Sequence, residues 1–442
     1  MATAIILEEW TRHPTAALIA NKWLEIGDGY RAKNDEMSEQ GLPFIRAGDV
    51  NGRVNTQNTD LLGAKSLQAV GSKRSRPGDV VLTTKGTVGR MAFVEDDDPA
   101  FVYSPQLCFW RSLEPREICA RWLYYALQAP EMRGQMAWSA AQTDMAPYIS
   151  LGDQRGAFHI TLPPIAAQEA AAEILGAIDA KIDVNRQMTA TLEETARALF
   201  QSWFVDFDPV HAKAEGRDPA LSADIAALFP DRFGDDGLPE GWAMDKVGAL
   251  FDIVAGNTPS TFNEAFWGAP HAWATPKDMS SLRSPILDQT SRQLTGTGLG
   301  AASSGLVPAG SLLLSSRAPI GYLAFAAIPL AINQGIAAFV KKEVSTVYAW
   351  AWCQAHMDVI KSGANGSTFQ EISKGTLRQL PMLRPTREAT QRFDEITSSH
   401  YKRILQISCE IEALTQIRSL LLPKLISGDL RIPSAANEVA AA

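Results

Sequence analysis

Two short stretches of this 442-residue chain put a basic side chain between small polar residues and a glycine. Thr83-Thr-Lys-Gly-Thr-Val-Gly89 carries Lys85, and Ser315-Ser-Arg-Ala-Pro-Ile-Gly321 carries Arg317. Further polar and basic residues lie among apolar runs. They are Arg46, Lys73, Arg74, Arg76, Arg90 and Gln106 in the first half, and Lys277, Arg283, Arg292, Gln334 and Lys374 in the second. Ser367 and Thr368 add a polar loop, Gly363-Ala-Asn-Gly-Ser-Thr-Phe369. Arg or Lys beside Ser, Thr, Asn and Gln is the chemistry of phosphate positioning and base-edge reading. Guanine offers two acceptors to a bidentate Arg, and adenine pairs with Asn or Gln. A solvated surface charge is the default for any one of these. Lys85 and Arg317 stand out because they hold the same place in two copies.

Catalytic patterns are missing. There is no G-x-x-x-x-G-K-[ST] phosphate loop and no Asn/Asp-Pro-Pro-Tyr/Phe, the tetrapeptide that holds a target base for amino-methylation. Pro230-Asp231 lacks a D/E-x-K partner, and Asp179-Ala-Lys181 has that spacing on a helical surface. Gly296-Thr-Gly-Leu-Gly300 reads as a flexible loop. The six histidines show no metal-ligand spacing, so no metal site is expected.

The polar loops are positioned by an internal duplication. Gly78-Asp-Val-Val-Leu-Thr-Thr-Lys85 returns as Gly310-Ser-Leu-Leu-Leu-Ser-Ser-Arg317. Pro43–Asp49 loosely matches Ala272–Asp278, Ser104-Pro-Gln106 matches Ile332-Asn-Gln334, and Ile149-Ser150 matches Ile372-Ser373. The offset falls from 232 at Lys85 to 221 at Leu162 and Leu383, a loss expected near Asp96-Asp-Asp98. Each copy opens with a strand-rich domain of β-branched and aromatic runs broken by Gly and Pro. Each then closes with a long helix. In the first, positions 171, 175, 178, 182, 185, 189, 192, 196, 199 and 203 form a 4-3-4-3 seam with polar breaks at Asn185 and Thr189. In the second, Phe393, Ile396, His400, Ile404, Ile407, Ile411, Leu414 and Leu421 carry it, with one 4-4 step at 396–400–404. Pro423 is expected to close that helix. Two such seams predict an antiparallel pair.

The expected fold class is therefore α+β: two strand-rich α/β domains separated by an antiparallel pair of long coiled-coil helices, in a pseudo-two-fold repeat. The expected boundaries are 1–164 and 239–385 for the domains, 165–205 and 386–432 for the helices, 206–238 for an acidic linker and 433–442 for a disordered tail. Net charge is −8, and it is uneven. Residues 165–245 hold 16 acidic and 6 basic side chains, whereas 246–385 hold 11 basic and 7 acidic, so the domains stay free to meet an anion. Cys108, Cys119, Cys353 and Cys409 are scattered. With no apolar span and no signal-like start, a reducing cytoplasm is expected.

These residues resemble a known family, the specificity (HsdS) subunits of type I restriction-modification systems, and the likeness covers nearly the whole chain. Leu162-Pro-Pro-Ile-Ala-Ala-Gln168, Ala172-Glu-Ile-Leu175, Asn185-Arg186, Leu192–Phe200 and Ser202-Trp-Phe-Val-Asp-Phe-Asp-Pro209 are similar to its central conserved helix and exit. Leu420-Leu-Leu-Pro-Lys-Leu-Ile-Ser-Gly-Asp429 resembles its distal region, and Pro239-Glu-Gly-Trp242, Thr275-Pro-Lys-Asp278 and Gly366-Ser-Thr-Phe369 resemble features of its target-recognition domains. Pro385-Thr-Arg-Glu-Ala-Thr-Gln391 departs from the usual Pro-Pro-x-x-x-Gln opening.

The resemblance implies a non-catalytic reader of a bipartite double-stranded DNA site. Two modification subunits would dock on the helices, with Leu192, Leu199, Phe200, Trp203, Phe204, Leu414 and Leu421 as candidate contacts. Restriction subunits would join them. No cofactor is expected in this chain; S-adenosylmethionine, ATP and Mg are expected in the partners. A helix of about 35–40 residues is roughly 50–60 Å long. Domain centres about 45 Å apart would span roughly 13 base pairs at 3.4 Å each, leaving about six to nine unread. The competing expectations are a self-sufficient methyltransferase or nuclease, a plain coiled-coil scaffold, and a subunit whose partner fuses modification and cleavage.

Overall fold

The computed structural model describes residues 10–142, 146–282, 284–317, 319–365 and 370–431. They divide into two compact units. One takes residues up to Asp183 and from Ala413 onward, and the other is Val184–Glu412.

In the first unit, four antiparallel strands lie in the order Leu24–Asp28, Leu107–Ser112, Val80–Thr83 and Met91–Phe93. Val80-Val-Leu-Thr83 is apolar without alternation because both its faces are covered. Val80 and Leu82 meet Trp122 and Leu123 of the helix Ala120–Gln128, while Val81 meets Phe101, Tyr103 and Phe109. A second sheet runs Val102–Tyr103, Leu42–Ile45, Leu61–Leu62, Met37–Ser38. Thr11–Pro14 and His159–Leu162 close the domain as an antiparallel pair. One charge is buried whole: Asp79 is 0% exposed. The Arg111 guanidinium donates to both of its oxygens at 2.6 and 2.7 Å, and the Tyr103 hydroxyl donates at 2.6 Å.

The second unit repeats this order. Its main sheet runs Phe251–Ala255, Ile336–Lys341, Leu312–Ser315, Leu323–Ala326, with Ile286–Leu287 added at the edge. Beside it lie Arg292–Leu294, Trp267–Ala274 and Leu330–Ile332, and Ala243–Lys246 pairs with Pro381–Arg384. The duplication is thus one of topology and register. Tyr103 pairs with Ile45 as Ile332 pairs with Ala274, an offset of 229. Only three of the lost residues therefore fall at the Asp96-Asp-Asp98 loop, and the rest are lost further on.

The long helices are Ile165–Phe204, 40 residues, and Arg387–Ser427, 41 residues. All ten seam positions of the first are buried or half-buried. Within the first unit Leu175 shares a core with Leu422, Leu425 and Ile426, and Arg418 reaches the Asp179 carboxylate at 2.6 Å. Within the second, Phe200, Trp203 and Phe204 ring Phe393. Rising numbers on one helix meet falling numbers on the other in both units, so the pair is antiparallel.

Three expectations are corrected. The second seam runs through buried Thr397 and Tyr401, leaving His400 half-buried. Steps of four overshoot a 3.6-residue turn, so the inward face moves by a residue after Phe393. Pro423 does not end its helix. It lies inside, and Gly428 follows the last turn at φ +82°, packed under the Trp10 ring. The acidic stretch expected as a linker is built into the second unit. Val210 of the helix Asp208–Ala214 and Phe229, just past the helix Ala223–Ala226, join the core that holds Trp203 and Trp242, and Lys213 pairs with Asp231. The expected tail at 433–442 lies outside the described residues. No helix among the described residues is long and apolar enough to cross a membrane.

Candidate nucleic-acid interface

In the first unit four loops are locked together by backbone bonds. The Arg46 amide donates to Asp49 at 2.8 Å, closing a turn after the strand. The Ser104 amide donates to the Ile45 carbonyl (3.0 Å), Thr84 to the Gln106 carbonyl (2.9 Å) and Ile149 to the Thr84 carbonyl (3.1 Å). The Gln106 side chain itself accepts from the Ala47 amide at 3.2 Å. Gly89, at φ +87°, turns back onto the Thr83 carbonyl at 2.9 Å.

The second unit carries the same framework. Thr275 donates to Asp278 (2.8 Å), Asn333 to the Ala274 carbonyl (3.0 Å), Ser316 to the Gly335 carbonyl (2.8 Å), Ile372 to the Ser316 carbonyl (3.0 Å) and Gly321 to the Ser315 carbonyl (3.2 Å). The loose match between Pro43–Asp49 and Ala272–Asp278 is therefore one turn built twice. Desolvation opposes ionisation of Asp278, yet hydrogen bonds from Thr275 and Ser291 outweigh it and hold the carboxyl below its ordinary range.

On this framework the predicted side chains fall into two groups. Lys85 is exposed at the loop, its ammonium 4.9 Å from the centre of the Tyr148 ring. Arg317 occupies the matching place, half-exposed, and pairs with Glu371 at 2.8 Å. Arg46 is half-exposed and pairs with Asp60. Gln106 is exposed beside Lys85; its backbone place in the second unit is held by Gly335, so the match to Gln334 is off by one, and Gln334 is exposed one residue earlier, its side chain accepting from the Thr258 hydroxyl. Lys277 is exposed on the short helix that Thr275 and Asp278 cap. Arg74 and Arg76 are exposed, and Arg90 is half-buried. Arg292 is exposed, its guanidinium lying 3.4 Å from the Trp267 ring centre. Lys374 opens the helix Lys374–Gln379.

Lys73 differs from expectation. Its ammonium is taken up by Asp28 at 3.0 Å and the Gly29 carbonyl at 2.9 Å, so it fastens a strand end. Arg283, Ser367 and Thr368 lie outside the described residues.

The candidate partner contacts are also corrected in part. Phe200, Trp203 and Phe204 are at most 4% exposed, and Leu192 and Leu199 pack on the same core. Leu421 packs on the first core, and Leu414 is half-buried in the seam. Aromatic rings of this size next to a sheet are taken into the domain core. The exposed apolar residues of the helices are instead Ile174, Val184, Met188, Leu405, Ile417 and Leu420.

Two glycines went unmarked in the sequence. A Cβ on Gly29 would sit 1.9 Å from the Ser104 carbonyl oxygen, and one on Gly256 would sit 1.7 Å from that of Ile332. They occupy equivalent corners, 227 positions apart, and extending the repeat upstream would have found them.

The class these features define is a duplicated chain: two α/β domains that carry one loop framework twice, with a pair of long antiparallel helices. Residues 239–415 match the type I restriction modification DNA specificity domain. The chain is similar to the type I restriction enzyme HindI specificity subunit of Haemophilus influenzae, 26% identical over 92% of this chain and 99% of that one. It is similar to the MjaIX specificity subunit of Methanocaldococcus jannaschii, 32% identical over 36% of this chain and 38% of the relative. In fold it is similar to the type I system S subunit from M. genitalium, with a TM-score of 0.56, 16% identity, and coverage of 96% and 97% of the two chains. Residues 239–415 are thus a type I restriction modification DNA specificity domain, and over nearly its whole length the chain is similar to a specificity subunit of such a system.

Proposed function

We propose that each unit reads one half of a bipartite double-stranded DNA site through its loop cluster, around Lys85 and Gln106 in the first and around Arg317, Gln334 and Lys277 in the second. The observation that carries this reading is the pairing of one hydrogen-bond framework with two different sets of side chains. A shared framework suits a shared task of presenting side chains to a groove, and different side chains suit different half-sites. The chain itself is non-catalytic in this reading. Two modification subunits dock on the helices and supply S-adenosylmethionine chemistry, and restriction subunits supply ATP- and Mg-dependent cleavage. The exposed apolar residues of the helices, rather than the buried aromatics, are the surface offered to them.

The test is an exchange of residues 1–164 for the corresponding domain of a relative, followed by methylome sequencing of cells that also make the modification subunit. One half of the methylated site should change while the other half and the gap stay fixed. Change in both halves, or in neither, would overturn the assignment.

A further inference from the structure

We propose, resting on the reading of the second unit as a DNA reader, that Phe262 is a stacking wedge that enters the duplex at a base step beside the second half-site. Its side chain is 98% exposed. A single exposed apolar residue is ordinary on a protein surface, so the setting of this ring carries the argument.

The loop that carries it is braced on both sides. Gly256 lies against the Ile332 carbonyl. The Asn257 side chain donates to the Ala301 carbonyl at 3.1 Å and accepts from the Ser303 amide at 2.7 Å. The Thr258 hydroxyl bonds to Gln334. Beyond the tip, the Ser260 carbonyl accepts from the Trp267 indole at 3.1 Å, and Asn263 caps the short turn Glu264–Phe266. The backbone that holds the ring out is therefore ordered before any partner arrives, and only the ring's own rotamers remain to be fixed on binding.

The surroundings select the partner. From Gly256 to Asn263 the loop has no charged residue, and the nearest acid in sequence is the adjoining Glu264. One brace is Gln334 of the reading cluster. The other is Trp267, whose ring carries the Arg292 guanidinium at 3.4 Å. An apolar ring on a loop whose braces are an amide and a guanidinium-bearing indole suits a polyanion with exposed base faces. Apolar side chains between base steps and aromatic stacking on bases are the two known uses of such a ring. In the first unit the equivalent loop has no free ring, since the Tyr30 hydroxyl donates to Glu36 at 2.8 Å. The wedge thus acts at the second half-site alone.

The experiment uses the full chain assembled with its modification subunits. The probe is a duplex bearing the site that the wild-type complex methylates, with a fluorescent adenine analogue that brightens on unstacking placed near the second half-site. Phe262→Ala should lower affinity about tenfold, the scale of one lost base stack, and abolish the brightening. Phe262→Trp should retain both. Because the ring touches nothing, Phe262→Ala should fold and assemble normally. Affinity within about twofold of wild type with the brightening intact would overturn the wedge. Loss of assembly with the modification subunits would overturn it too, by showing that the ring meets protein. If the wild-type complex itself did not prefer this duplex to a scrambled one, the reading function would fall and take the wedge with it. A wild-type preference for this duplex, with Phe262→Ala equal to wild type in affinity and brightening, would remove the wedge alone.

Discussion

The Arg317 guanidinium stands 2.8 Å from the Glu371 carboxylate, at the place where the first copy sets the Lys85 ammonium over the Tyr148 ring. A half-exposed ion pair of this kind is worth about 0–1 kcal/mol, so DNA can displace it at small cost. If Arg317 meets DNA as proposed, Glu371 competes with it for the cation. Glu371→Gln should raise affinity for non-cognate duplex and steepen its salt dependence. Arg317→Ala should cost about 1–3 kcal/mol on the cognate site and relax only the second half-site. Lys85→Ala should do the same in the first half. Anisotropy titrations of the assembled complex across a salt series check all three, and unchanged affinity and slope in Arg317→Ala would remove that residue from the interface.

If the helix pair sets the gap between half-sites, its length should be readable in DNA. A matched seven-residue insertion in both helices keeps the seam in phase and adds about 10.5 Å of rise, close to three base pairs. Methylome sequencing should report an unread gap longer by about three. The original gap, methylated at normal rate, would end the ruler interpretation.

Asn185 bears on the same pair. It is fully buried in the seam, and neither its side-chain nitrogen Nδ2 nor its side-chain oxygen Oδ1 has a hydrogen-bond partner. A buried amide left unpaired costs about 1–3 kcal/mol. Asn185→Leu should therefore raise the melting temperature of the purified chain. A polar residue at one seam position is a known device for fixing register. The stabilised variant should then methylate with a less uniform gap, which the same sequencing reads.

The first seam and the repeat were legible because they rest on periodicity and on matched turn residues, whereas the strand order of each unit rests on long-range pairing and was not. Val80-Val-Leu-Thr83 and Leu312-Leu-Leu-Ser315 are apolar throughout, and only strands covered on both faces read that way. The site was legible in part. Lys85 and Arg317 showed themselves by equivalence, but Tyr148 and Glu371 did not, because they approach through a backbone bridge more than fifty residues away. The aromatics Phe200, Trp203 and Phe204 were misjudged for a related reason. A seam pattern cannot tell a helix neighbour from a domain core, and here the core of the second unit claims them. Phe262 carries no sequence signal, since only the bracing of its loop makes its exposure informative.

The buried Asp79–Arg111 pair belongs to the first copy alone, because the matching position of the second is Ser311. Removing Asp79 strips the buried Arg111 guanidinium of its two-oxygen partner and leaves it a single carboxylate contact, to Glu25, at about 3–5 kcal/mol where a buried pair is broken. Asp79→Ala should thus destabilise the first unit by that amount in chemical denaturation. Ser311→Ala should cost under about 1 kcal/mol. Equal effects would mean that the guanidinium finds water or another carboxylate, with Glu25 at 3.1 Å the nearest candidate.

Asp278 gives a test by pH. Its carboxyl is held below the ordinary range in the folded chain, so ionised Asp278 favours folding. Its contribution is present above the unfolded value, about 3.9, and is lost as pH falls through the lower folded value. The wild-type chain should lose stability across that acid window, below about pH 4, relative to Asp278→Asn, which has no carboxylate to protonate. At neutral pH the variant should be the less stable, because an amide cannot accept at both oxygens from Thr275 and Ser291. The same turn presents Lys277, so Asp278→Asn should also weaken binding at the second half-site while leaving the first unchanged. Melting curves from pH 3 to 7, with half-site preference measured at pH 7, separate the two effects, and a constant difference between the proteins at every pH would show that Asp278 is not ionised through its turn.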